Sequence, residues 1–134
     1  IMGANDRQPG GGHYKDKAQG GWQHWDYCAR NRINYLESAA SKYVSRWRTK
    51  GSPVLDLEKA VHYTDKAIEL IDQIGYAPGG HVPQDQFETF AKAYGLGKNE
   101  YRACQLLMQW ACKADLEEAR DLIHDHILPT ARAV

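Results

Sequence analysis

Lys42, Arg46 and Lys50 stand four residues apart, a spacing that a helix turns into a row of cations on one flank, repelling by a few tenths of a kcal/mol per pair. Such a row is either a freely solvated face or a seat for an anion, and Asp56 and Glu58 are near enough in the chain to neutralise it internally. A second basic group, His13-Tyr14-Lys15 with Lys17, sits in a glycine-rich run whose backbone amides can approach a phosphate closely. Tyr14 either pins that run to the rest of the chain or joins in binding, and both roles are compatible. The chemistry open to these residues is phosphate binding, with Tyr14, Tyr43 or Tyr63 flanking a base or sugar.

Other chemistries find less support. A Gly-rich phosphate loop needs a glycine, four residues, then Gly-Lys-Ser or Gly-Lys-Thr; Gly95-Leu96-Gly97-Lys98-Asn99 lacks the first glycine and the hydroxyl and reads as a turn between helices. Six histidines and three cysteines include no Cys-x-x-Cys pair, and His124 and His126 fall on different faces of a helix, so no metal site and no cofactor are expected. The acidic rows Asp65, Glu69, Asp72 and Glu117, Asp121, Asp125 lack the matched pairs of a two-metal site and read as solvated faces. No Ser-His-Asp signature can be assembled.

The elements that must position these residues are helical. Residues 34–73 read as an antiparallel hairpin: Leu36, Ala39, Ala40, Tyr43, Val44 and Trp47 recur at three-and-four spacing, and Ser52 as N-cap, Pro53 at the first position and Gly75 past the end punctuate the second helix. Its core face is expected at Leu57, Ala60 or Val61, Thr64, Ile68, Ile71 and Ile74. Before the hairpin, Trp22, Trp25, Tyr27 and Cys28 start a short helix ending near Arg30. Most of that patch should be core, with Trp22 or Trp25 as the alternative partner for a base. After it, the Gly- and Pro-rich connector from Gly75 to Pro83 is the best internal boundary, and three helices follow: about 84–94, about 100–113 opened by Asn99, and about 116–127 opened by Asp115 with Glu118 as a capping box. The middle one is so widely apolar that it must be buried in its own subunit or against a neighbour. Thr130 to Val134 should fray.

The domain reading is thus a Gly-rich arm over 1–21, a helical core over 22–75 and a packing or oligomerisation segment over 76–134. A chain of 134 residues supports one modest core. Its net charge is zero, yet residues 1–50 hold nine Lys or Arg against four acids and residues 51–134 hold eight against thirteen. A basic front half suits an anionic ligand, while the zero balance speaks against a nucleic-acid partner. Cys28, Cys104 and Cys112 are expected as reduced cytoplasmic thiols, and no stretch is apolar enough to span a bilayer.

The ordered series His13-Tyr14-Lys15, then Lys42-Tyr43 with Arg46 and Lys50, then Asp56-Leu57 with Lys59-Ala60 and Tyr63, resembles the SaV-like family of small tailed-phage proteins, which look like the C-terminal part of a phage nucleotide kinase lacking a phosphate loop. The resemblance covers residues 13 to about 72. It implies nucleotide binding in the cytoplasm of an infected bacterium and, for an enzyme, phosphoryl transfer to a nucleoside monophosphate. One departure is Ser38-Ala39, which stands where the family pattern has Gly-Asn. The expectation is therefore an all-α protein, a homo-oligomer, in which Lys42, Arg46 and Lys50 hold phosphates and His13 and Lys15 close over them. The alternatives are a non-enzymatic sponge for a signalling nucleotide that counters host defence, and a helical adaptor for a host protein.

Overall fold

The computed structural model describes residues 3–4, 21–49 and 51–134. The expected sites His13, Tyr14, Lys15 and Lys50, with Lys17, lie outside the described residues. The fold is all-α. In chain order the helices are α1 (His24–Arg30), α2 (Tyr35–Arg46), α3 (Pro53–Ile74), α4 (Gln84–Ala93), α5 (Lys98–Gln109), α6 (Lys113–Leu122) and α7 (Leu128–Arg132); a 3-10 turn, Trp47–Thr49, follows α2, and a π-helical segment, Ile123–Ile127, joins α6 to α7.

Local chemistry explains most of the ends. Asp26, in the first turn of α1, accepts from the Gln23 backbone N–H at 2.7 Å, satisfying an amide the helix leaves unpaired. Pro53 opens α3, and Gly75 closes it in the left-handed region at φ 69, as expected of a glycine there. Ser52 does occupy the N-cap position of α3, but its side chain makes no capping bond. Helix α5 starts at Lys98 rather than beyond Asn99, with Gly97 at the cap, and it stops at Gln109 where Trp110 turns to extended backbone. The next helix begins at Lys113, and Asp115, inside its first turn, accepts from the Ala111 N–H at 2.9 Å and the Cys112 N–H at 3.4 Å. The tail holds its helix to Arg132, because Ala131 is buried and Thr130 Oγ1 donates to the His126 carbonyl at 2.9 Å.

One core runs through the molecule. From the hairpin it takes Ala40, Val44, Trp47, Leu57, Ala60 and Ala67, and from the second half Phe87, Phe90, Leu107, Met108, Leu116 and Ile123. The apolar breadth of α5 is thereby buried within its own chain. Ile74, expected on the core face, is 71% exposed; α3 ends there against solvent, and Ala67 takes the buried place. The acidic row of α3 is spent on ion pairs, Asp65 with Arg120 of α6 at 3.0 Å and Asp72 with Lys113 at 2.9 Å between helices, and Glu69 with Lys66 at 3.0 Å within α3.

The two halves repeat one another at an offset of 63 residues. Helices α2 and α5 are each 12 residues long and start 63 positions apart. In front of each, the chain turns the same way: Ile33 N–H donates to Cys28 O at 3.0 Å and Leu96 N–H to Ala91 O at 3.0 Å, and the turning residues, Arg32 at φ 57 and Gly95 at φ 61, are both left-handed. Glu37, Ala40 and Trp47 recur as Glu100, Ala103 and Trp110.

The repeats face each other antiparallel. Trp110 Nε1 donates to buried Glu37 at 2.8 Å, and Trp47 Nε1 donates to buried Glu100 at 3.1 Å, so each bond is the image of the other, as a two-fold relation requires. Equivalent residues meet between them: the Tyr27 and Phe90 rings lie 5.4 Å apart, and Cys104 Sγ donates to the Ser41 carbonyl at 3.7 Å. Small buried residues, Ala40, Ser41, Ala103 and Cys104, belong to the facing stripes of the two helices.

Candidate functional site

The first half carries a cleft of about 500 Å³ that the second half does not copy in its residues. Tyr35, Ser38, Ala39 and Lys42 of α2 line it at helical spacing, so one stripe of α2 is its wall and floor. Trp25, Cys28 and Ala29 of α1, Ile33 of the following turn, and Tyr63 of α3 supply the rest. Of the residues singled out from sequence, Lys42, Tyr43 and Tyr63 all line this one space. Ser38 and Ala39, at the place of departure from the family pattern, line it too.

Its electrostatics centre on Tyr43. Arg46 Cζ stands 4.7 Å from the ring centroid, Lys42 Nζ 5.3 Å and Lys59 Nζ 5.7 Å, within the range at which a ring quadrupole attracts a cation. Tyr43 stacks on Tyr63 at 6.1 Å and 12°, and Tyr63 meets Tyr35 edge-on at 5.9 Å. The cationic row is therefore not a simple solvated face. Arg46 is paired with Asp56 at 3.7 Å, with both side chains largely buried, so internal neutralisation claims that member of the row. Glu58 approaches Arg132, at 4.0 Å. Lys42 remains at the cleft wall.

The lining also includes buried His24, which the sequence reading passed over. Its backbone N–H donates to the Tyr94 hydroxyl at 2.7 Å, and its Nε2 is 2.8 Å from Ser41 Oγ and 3.5 Å from Cys28 Sγ. Burial, then the positive Lys42 and Arg46, hold the imidazole down at about 3, so it is neutral at pH 7. Burial pushes the Cys28 thiol up to about 11, against the lowering hydrogen bonds of Ser38 and Ser41. A neutral thiol beside a neutral imidazole is not the ion pair of a cysteine nucleophile. The pair packs the back of the cleft.

The turn carrying Ile33 to the cleft wall is held by the connector and by α4. Asn34 Nδ2 donates to the Ala77 carbonyl at 2.8 Å, and Asn31 Nδ2 to Gln86 at 2.8 Å. A Cβ on Gly80 would lie 2.0 Å from the Asn31 carbonyl oxygen, so only glycine lets the two backbones come so close. Behind this turn Tyr76 donates to Glu37 in a short hydrogen bond and stacks on Trp110. Burial, then Glu37 itself, raise the phenol of Tyr76.

A second hollow, about 570 Å³, lies over α6 and the π segment at Glu117, Glu118, Asp121 and His126. Its carboxylates would repel a phosphate, and Glu118 and Asp121 are bound to Arg102 and Arg120. Among the described residues no group of three or more His, Cys, Asp or Glu is arranged to hold a metal ion, and no helix is long and apolar enough to cross a membrane. No family model, curated protein or solved structure matches the chain.

Proposed function

We propose that this cleft binds a nucleotide or a related phosphate compound. The observation that carries the reading is convergence: Tyr35, Lys42 and Tyr43 of α2, Tyr63 of α3 and Trp25 of α1 line one space, so a cation and several ring faces are offered to one small ligand. Lys59, beside the Tyr43 ring, adds positive potential at the same end. The bacteriophage setting comes with the family resemblance, the cytoplasm with the reading of the cysteines as reduced thiols, and self-association with the reading of residues 76–134 as a packing or oligomerisation segment.

Two uses of such a cleft differ in turnover. One is phosphoryl transfer to a nucleoside monophosphate, which works by positioning and charge neutralisation. The other is sequestration of a signalling nucleotide without reaction. The described lining favours the second, because it offers no carboxylate and its histidine is a buried neutral imidazole. Thermal unfolding in the presence of nucleoside mono-, di- and triphosphates and cyclic nucleotides tests binding: a ligand at a hundred times its Kd stabilises by about 2.7 kcal/mol, and Lys42→Ala should remove most of that. Incubation with nucleoside monophosphate and triphosphate then separates the uses, with no diphosphate formed by a sponge. A chain whose melting point no nucleotide moves is not a nucleotide binder, and the host-protein adaptor becomes the better account.

A further inference from the structure

We infer that the cleft has a separate ring-recognition end, formed by Trp25 and Tyr35, and that Ser38 and Ala39 keep it open, so that the ligand is a nucleoside monophosphate or similar planar base with its phosphate toward Lys42. This rests on the reading of the cleft as a nucleotide site and adds to it an orientation and the residues that set it.

Two large aromatics of the lining stand well exposed, Trp25 of α1 at 50% and Tyr35 of α2 at 72%, and stacking on a base would cover such faces. Tyr35 and Lys42 share a stripe of α2 but are seven residues apart, which separates their backbones by roughly 10 Å along the axis at ~1.5 Å per residue. The rings of Tyr63 and Tyr43 lead from one end to the other: Tyr35 lies edge-on to Tyr63, Tyr63 stacks on Tyr43, and the cations gather at Tyr43. Along α2 the exposed ring of Tyr35 thus stands apart from the cations at Tyr43 within the same cleft.

The second half supplies an internal control. Sixty-three positions on from Ser38, Ala39 and Trp25 stand Tyr101, Arg102 and Glu88. There the Tyr101 hydroxyl donates to Glu88, and Arg102 donates to Glu118 at 2.8 and 3.1 Å. Bulk at those two positions is compatible with the helix pair, and it puts side chains and their hydrogen bonds where the first half has space. The floor of the cleft is a choice of small residues on a frame that accepts large ones.

Calorimetric titration with AMP, GMP, CMP and UMP, and with ribose 5-phosphate and pyrophosphate as base-free probes, tests the assignment. Trp25→Ala and Tyr35→Ala should each weaken the monophosphates about tenfold while leaving ribose 5-phosphate and pyrophosphate unchanged, whereas Lys42→Ala should weaken all six. Ser38→Tyr should abolish monophosphate binding at an unaltered melting temperature. If the monophosphates bind and Trp25→Ala and Tyr35→Ala bind them as tightly as the unsubstituted chain, or lose the base-free probes to the same degree, the ring end is wrong while the nucleotide site stands. If none of the four monophosphates binds the unsubstituted chain, the nucleotide site fails and the ring end fails with it.

Discussion

The first half, through α3, and the second, from α4 onward, have the same frame and opposite interiors at one spot. Both put a short helix, a left-handed turn and a 12-residue helix in series, and both present Glu, Ala and Trp to the other half. Yet the place bounded by Trp25, Ser38 and Ala39 in one is filled by Glu88, Tyr101 and Arg102 in the other. The difference teaches that packing of the helix pair depends on few positions. The remainder of each helix is at liberty to build a cleft or to seal one.

The sharpest way to break the likeness is at the two buried glutamates. Glu37 accepts from Trp110, Tyr76 and Asn34, whereas Glu100 accepts from Trp47 and from Arg48, which is itself 58% exposed. Removing Glu37 leaves the indole of Trp110 and the phenol of Tyr76 without their acceptor, so Glu37→Ala should cost roughly 3 kcal/mol and Glu100→Ala about half that. Urea unfolding of the two variants checks this; equal losses would mean that the second half relies on its clasp as heavily as the first.

Next in size is a pH dependence confined to the first half, where His24 stands at the position that is Phe87 in the second. Its folded pKa, about 3, lies below the ordinary 6.5, so between those values the unfolded chain binds the extra proton and stability falls as pH falls. The contribution is intact above about pH 6.5. Between pH 7 and pH 5 it should fall by about 2 kcal/mol, and His24→Phe should flatten that part of the stability profile by the same amount. An unchanged slope would show that His24 takes its proton in the folded state.

The left-handed turns should give the smallest effect. Gly95 needs no side chain to be comfortable at φ 61, while Arg32 holds φ 57 with one. Arg32→Gly should therefore be neutral or stabilising, and Gly95→Ala destabilising by about 1 kcal/mol. Thermal melts of the two variants shifting in the same direction would mean the turns are not equivalent.

What the sequence makes legible is what neighbours in the chain decide. The hairpin, Pro53 at its second helix, Gly75 at its end and the connector to Pro83 follow from local rules of spacing and caps. The clasp does not, because Glu37 and Trp110 are 73 residues apart and Trp47 and Glu100 are 53, and a glutamate inside a helical pattern reads as solvent-facing until its distant partner is known. The repeat is hidden for a related reason: few residues beyond Glu, Ala and Trp persist across it, and the shared feature is backbone. At the cleft, Lys42, Tyr43 and Tyr63 were recognisable from order and spacing. Tyr35 was missed, although it belongs to the same stripe as Ser38, Ala39 and Lys42. His24 escapes notice because nothing local tells a histidine that its surroundings will be dry.

Because Glu37 and Trp47 on one side answer Trp110 and Glu100 on the other, the seam cannot tell its own second half from that of a neighbouring molecule. The two halves are joined by the span after Gly75, pressed so closely on Asn31 that Gly80 has no room for a methyl. A bulkier residue there would loosen the tether, and two chains at high concentration could then trade halves while keeping every bond of the clasp.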